Sequence, residues 1–278
     1  MRKIIMAGMT AFLCLILSKF AWAETAPEDF FKMIASGDAV GIEAAILGGF
    51  DINRAYGKRG DAKIPLIEAI KRCNTEIVET LLAAGADTEM ADLTEMTPLM
   101  MSIVFATAPV SPKMTAERRR DAIEIVSLLI GRGADVNYMD IFSQTPLNMA
   151  SSGMNYESSL VLTRKLLDAG AEVNPAIPPE KMSPLMWALA EVYAEWAAEG
   201  ENRIELIKLL LDAGADPNAT CGGESVLHLA ALIQSTEITE TLLRSGADKS
   251  ARNRDGKTPF DIAFENSNFK AAKLLAAR

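Results

Sequence analysis

A phrase that returns five times constrains this chain more than anything else in it. A Leu-Leu pair is followed shortly by Gly-Ala-Asp or Gly-Ala-Glu: Leu81-Leu82 with Gly85 to Asp87, Leu128-Leu129 with Gly133 to Asp135, Leu166-Leu167 with Gly170 to Glu172, Leu210-Leu211 with Gly214 to Asp216, and Leu242-Leu243 with Gly246 to Asp248. Each copy is preceded by a second phrase: Ile64-Pro65-Leu66, Thr97-Pro98-Leu99, Thr145-Pro146-Leu147, Ser183-Pro184-Leu185 and Ser225-Val226-Leu227, with a sixth at Thr258-Pro259-Phe260. Self-similarity of this kind at a period of 20 to 50 residues marks a stacked array rather than a single closed core.

The chemistry of the phrases says what each unit folds into. Thr or Ser is a good helix N-cap, and Pro at the first helical position gives up only an N–H that has no partner there. A second apolar stripe follows at helical spacing, as in Ile77, Val78, Leu81 and Leu82 or Ile125, Val126, Leu128 and Leu129. Gly after the stripe can take the left-handed conformation that ends a helix, and the Asp-x-Asn of Asp135 to Asn137 and Asp216 to Asn218 suits a turn into the next unit. Each unit therefore reads as helix, helix, extended finger.

These phrases resemble the ankyrin repeat, whose signature is T-P-L-H-x-A; its His stands at the matching place here only as His228. Before the first clear unit, Phe30, Phe31, Ala35, Gly37, Ile42 and Ala45, then Gly49 to Asn53, form a degenerate leading repeat. Asp255, Gly256, Thr258, Pro259, Ala263 and Leu274-Leu275 form a last one without a finger. The expected fold class is an all-α ankyrin-repeat solenoid of about seven helix-turn-helix units with finger loops. The expected domain is 24–278, with units at about 27–58, 59–90, 91–139, 140–176, 177–220, 221–252 and 253–278. Below, the first of these is the leading unit, followed by units one to five and the last unit.

The repeats are not uniform. From the cap position to the Gly of the Gly-Ala phrase is 21 residues in units one and five but 36, 25 and 31 in units two, three and four. The extra residues lie between the two helices, so in a stack they should form one patch. The first insertion carries Phe105 and the run Arg118-Arg119-Arg120; the third carries Tyr193 and Trp196. The alternative is that the insertions are helix extensions packed on each other, Ser111-Pro112 or Thr115 capping an early start of the second helix and Trp196 acting as a plug. The fingers ahead of units two to four are unusually apolar, with Leu93 and Met96, then Tyr138, Met139, Ile141 and Phe142, then Met182. The resemblance implies that finger tips and the first helices contact partners. The expected partner-binding residues are Leu93, Met96, Phe105, Arg118, Arg119, Arg120, Tyr138, Ile141, Phe142, Met182, Tyr193 and Trp196. Against this stands packing of Ile141 and Phe142 between neighbouring fingers.

The first 23 residues read as an address. Arg2 and Lys3 precede an apolar run from Ile4 to Leu17, and Ala21-Trp22-Ala23 makes a cleavage site before Glu24. The run is shorter than the roughly 20 residues that span a bilayer. Cleavage after Ala23 and a periplasmic destination are expected, with secretion as the runner-up and no stable membrane anchor afterwards. Removal of Arg2, Lys3 and Lys19 leaves 25 of the 28 bases against 37 acids, a formal charge of −12. So acidic a chain argues against phosphate recognition, which needs clustered Lys and Arg.

Residue types for chemistry are scarce. There is one His, no Gly-rich phosphate loop, no G-x-S-x-G and no H-E-x-x-H, and Cys73 and Cys221 lack the spacing of a zinc site. Lying in units one and five, these cysteines should be roughly 30 to 40 Å apart if helices stack at about 8 to 10 Å, too far for a disulfide. The chain is therefore expected to be no enzyme, to use no cofactor or metal, and to bind another protein as an inhibitor, an immunity protein or an accessory of an envelope enzyme. An envelope scaffold and an effector secreted to a host are the alternatives.

Overall fold

A computed structural model describes residues 25–58, 60–109, 111–112, 114–193, 203–233 and 235–277, with the side chains of 192 and 193 excepted. The proposed signal segment lies outside the described residues, as do Trp196 and the side chain of Tyr193. Among the described residues fourteen helices follow in pairs: α1 (Pro27–Ser36) and α2 (Ala39–Leu47), α3 (Pro65–Lys71) and α4 (Thr75–Ala83), α5 (Pro98–Thr107) and α6 (Ala116–Gly131), α7 (Pro146–Ser151) and α8 (Tyr156–Asp168), α9 (Pro184–Tyr193) and α10 (Arg203–Asp212), α11 (Val226–Leu232) and α12 (Thr236–Arg244), α13 (Pro259–Glu265) and α14 (Phe269–Ala276). The one strand pair among the described residues is short, β1 (Thr220–Cys221) against β2 (Glu224–Ser225). First helices contact first helices of the neighbouring units, and second helices contact second helices, so the chain is an all-α solenoid of two helical layers.

Local chemistry sets each element's start and stop. Thr97, Thr145, Ser225 and Thr258 accept the N–H three residues on and so cap α5, α7, α11 and α13. Asn74, Thr115, Asn155, Ser235 and Asn268 do the same for the second helices. At the other end, Gly85, Gly133, Gly170, Gly214 and Gly246 all lie at φ between 86° and 93°. There the residue after the Gly donates to a carbonyl in the last turn, Ala86 to Leu81 and Ala134 to Leu129 among them. Only Gly adopts this conformation without strain. The Leu-Leu pairs supply the core: Leu81, Leu129, Leu166, Leu210 and Leu242 are fully buried. No helix among the described residues is long and apolar enough to cross a membrane.

The large insertion of unit two becomes mostly helix. α5 has ten residues where α3 has seven, α6 has sixteen where α4 has nine, and Thr115 is the cap of α6. Two of its three arginines are turned inward. Arg118 Nη2 donates to the Lys71 carbonyl at the end of α3 (3.1 Å), and Arg119 Nη2 donates to the Ala108 carbonyl at the end of α5 (2.9 Å). Two of the three expected partner-binding arginines are thus half-buried and bonded within the fold. Helix C-termini carry unpaired carbonyls and partial negative charge, and a guanidinium satisfies both. Only Arg120 of the three is exposed.

Candidate protein-binding surface

Three of the predicted residues stand at the tips of two successive fingers, and the turn that holds them is the same in both. In the first, Asp92 Oδ1 accepts from the N–H groups of Thr94 and Met96, and Glu95 sits at φ 58°. In the second, Asp140 Oδ1 accepts from Phe142 and Gln144, and Ser143 sits at φ 60°. The residue after each Asp is pushed out: Leu93 and Ile141 are each 63% exposed, and Phe142 is 56% exposed. Ile141 and Phe142 are thus displayed rather than packed between fingers. The last finger repeats this turn with Asn253 as acceptor from Asp255 and Lys257 and with Gly256 at φ 75°, yet its tip carries Arg254 and Asp255, both exposed. The turn itself therefore does not require an apolar tip.

The other predicted residues behave differently. Met96, Phe105 and Met182 are half-buried against the core, and Tyr138 is half-buried. A row the sequence reading missed lies on the first-helix layer. Met101, Met149, Trp187, Leu229 and Ile262 each stand four residues after their cap; Met101 is buried and the others are half-buried. Stacked first helices place these equivalent positions side by side, so the row is apolar and partly open to solvent. The signal was present, since position four after each cap is apolar in units two to five and in the last unit.

A second missed feature fixes the fingers relative to one another. Asn53, Asn137, Asn174 and Asn218 each donate through Nδ2 to the Gly carbonyl of the next unit, at Gly85, Gly170, Gly214 and Gly246 (2.8 to 3.2 Å). Through Oδ1 each accepts the N–H of Asp87, Glu172, Asp216 or Asp248 (2.7 to 2.8 Å). In unit one Glu89 replaces this Asn and makes only the second bond, to Asp135 N. The fingers form a clamped ladder, a rigid platform for their tips.

Polar groups in the interior are also committed to the fold. His228 Nδ1 accepts the Ser225 N–H (3.2 Å) and lies 2.7 Å from the Ser225 hydroxyl, which leaves Nε2 to donate to the Lys257 carbonyl of the next unit (3.0 Å). Arg203 is buried, with Nη2 on the Gly153 carbonyl at 2.7 Å. Burial raises the Glu191 carboxyl above its ordinary range, and the nearby Arg203 charge partly offsets the rise. Burial likewise raises the Cys73 thiol against a hydrogen bond from Arg118, and raises Cys221, with Glu180 adding to the effect. Both cysteines are free thiols, and this shift opposes the thiolate form that nucleophilic chemistry needs. Among the described residues no cluster of His, Cys, Asp and Glu converges to hold a metal.

A stack of paired helices with clamped, outward fingers and a partly open row on the first helices is a helical-repeat solenoid by class. The family model described as Ankyrin repeats (3 copies) matches residues 194–278, the last part of the chain. Its fold is shared with the human ASB11 ankyrin repeat domain, at TM-score 0.66 and 20% identity over 91% of this chain and 99% of that one. It is shared equally with the ankyrin repeat domain of Bcl-3, at TM-score 0.67 and 22% identity over the same shares. An ankyrin repeat domain from Acinetobacter baumannii aligns at TM-score 0.59 and 22% identity over 76% of this chain and 95% of that one.

Among curated relatives, BRCA1-associated RING domain protein 1 of Caenorhabditis elegans is 41% identical over 82 residues, 29% of this chain and 11% of its own length. Ankyrin repeat and SOCS box protein 9 of Homo sapiens is 39% identical over 66 residues, 24% of this chain and 22% of its own length. The match thus spans less than a quarter of these relatives. Ankyrin repeats are protein–protein interaction modules and are generally non-catalytic. One relative, 2-5A-dependent ribonuclease of Homo sapiens, is named as an enzyme, and the match covers 12% of it.

Proposed function

We propose that this chain is a non-catalytic binding protein, exported to the periplasm, that engages one partner protein through its central repeats and acts as an inhibitor, immunity protein or accessory of an envelope enzyme. The observation that carries the binding surface is the pair of successive finger tips bearing Leu93, Ile141 and Phe142, exposed on turns that the last finger builds with charged residues. Apolar and aromatic side chains on a rigid support serve as interface anchors because their burial gains area at small cost in order. The export reading rests on the charged start, the apolar run Ile4 to Leu17 and the Ala21-Trp22-Ala23 site.

The test is a crosslinked pull-down of tagged protein from a periplasmic extract, read by mass spectrometry, beside the Ile141→Ala/Phe142→Ala double variant. One dominant partner, lost in the variant while its thermal melt is unchanged, supports the reading. A weak mixed set of envelope proteins would favour a scaffold instead. Recovery of the protein only from the culture medium would overturn the periplasmic assignment in favour of a secreted effector.

A further inference from the structure

The first finger differs in charge from those that follow it. Residues 51–63 carry Arg54, Lys58, Arg59 and Lys63 against Asp51 and Asp61; residues 85–96 carry Asp87, Glu89, Asp92 and Glu95 with no base, and residues 133–144 carry Asp135 and Asp140 with no base. In a protein of net charge −9, the first finger is a local reversal. It is also built differently. Tyr56 and Lys63 exchange both backbone hydrogen bonds (2.9 and 2.7 Å), closing a hairpin. Gly57 at φ 123° lies where a Cβ would meet the Asp61 carbonyl at 2.7 Å, so the hairpin's shape depends on that Gly.

The hairpin folds back on the leading unit and leaves an open cavity of about 450 Å³ between them, lined by Phe31, Tyr56, Lys63, Arg72, Lys32 and Pro27 among others. Two aromatic residues line it: Phe31 meets Tyr56 edge to face at 6.0 Å, and Tyr56 is backed by Phe50, stacked on it at 5.0 Å. Tyr56 is held by its hydroxyl, which donates to the Asp51 carbonyl at 2.7 Å. Its rim carries charges of both signs. Lys63 Nζ stands 5.7 Å from the Phe31 ring centre, and Arg72 reaches the cavity from the end of α3. Lys32 is paired with Asp29, and Glu28 and Asp61 also line the cavity. Among the described residues neither Lys63 nor Arg72 takes part in an ion pair.

We infer that this cavity is a second binding site, distinct from the central finger tips, and that it takes an acidic protein segment carrying an aromatic or apolar side chain. The side chain packs in the cavity against the outer edges of the touching Phe31 and Tyr56 rings while flanking carboxylates meet Lys63 and Arg72. The apolar ring edges suit such a side chain, and the two cations, with the excess of bases in residues 51–63 around them, attract the acidic flanks. The acidic fingers beyond repel such a segment and confine it to the N-terminal end, which gives a bound partner a direction along the solenoid. The inference rests on the reading that the chain binds a protein, but it concerns other residues.

The probe is a short fluorescein-labelled peptide of Glu residues around one Phe, titrated into the purified protein and followed by anisotropy. Binding should weaken about tenfold in Lys63→Glu/Arg72→Glu, as expected for reversing charges at a contact, and should weaken with added salt. Replacing the peptide's Phe by Ala should weaken it comparably. Arg254→Glu in the last finger should stay within about twofold of the parent protein, because charges beyond a Debye length are screened. Equal loss in Arg254→Glu, no loss with the Ala peptide, or equal binding of the same peptide with Lys in place of Glu would overturn the site. Peptide binding retained in Ile141→Ala/Phe142→Ala separates it from the central surface. If those finger variants lose a partner while the peptide never binds, this inference alone fails.

Discussion

Asn148 and His228 stand at equivalent positions of their units, and the comparison shows what one side chain contributes. His228 bonds its own cap residue through Nδ1 and the next unit through Nε2. Asn148 reaches the next unit only through Nδ2 to the Met182 carbonyl at 3.5 Å, and its buried Oδ1 has no hydrogen-bond partner among the described residues. A buried acceptor without a partner costs about 1–3 kcal/mol. Asn148→His should therefore raise stability by about 1 kcal/mol, measured as a shift in urea midpoint without a change in slope. The opposite sign is expected in the finger ladder. Asn218→Ala removes the bonds to Gly246 O and Asp248 N and should cost about 1–2 kcal/mol by the same measurement, with an unchanged helical spectrum.

At the scale of elements, helix starts carry a charge dependence. α13 opens with a capping box: Asp261 accepts from both the N–H and hydroxyl of Thr258, and these bonds hold its carboxyl below the usual range. A depressed folded value means the stabilisation is present above the unfolded value near ~3.9 and is lost as pH falls from there through the folded value. Asp261→Asn does not titrate there, so its melting temperature should fall less steeply in that acid window. α10 depends on a different device. Arg203 at its first turn is buried and holds the carbonyl of Gly153, between α7 and α8. Arg203→Ala should cost about 2–3 kcal/mol, since hydrogen bonds from charged groups are worth more than neutral ones, and should raise amide exchange in α10 first. The T-P phrase identified most of the first helices' starts in the sequence, because capping is decided within four residues. The side chains that close the far ends come from other units, Arg118 onto α3 and Asn268 onto Ala231 and Ile233 of α11, and no local pattern announces them.

For the whole molecule, each unit contacts its neighbours and stability is spread along the array. Leu129, fully buried in α6, lies in an interior unit, whereas Leu275 packs in the last helix pair. Leu129→Ala should cost about 2–5 kcal/mol and broaden or split the urea transition, because it weakens a unit coupled on both sides. Leu275→Ala should chiefly speed amide exchange in α13 and α14, leaving the main transition in place. A single sharp transition displaced equally by both substitutions would show that the array unfolds as one unit.

Sequence by itself determined the repeat, the pairing of helices, where most first helices begin and where the second helices end, because capping, left-handed Gly turns and apolar stripes act over a few residues. It also placed Leu93, Ile141 and Phe142 in fingers. Only the tertiary structure decided that these three are displayed while Met96, Phe105 and Met182 are half-buried, that Arg118 and Arg119 turn inward, and that a cavity lined by two aromatic residues opens beside the first finger. Those outcomes depend on which carbonyls and rings from other units come within reach, and that is fixed by stacking rather than by neighbours along the chain.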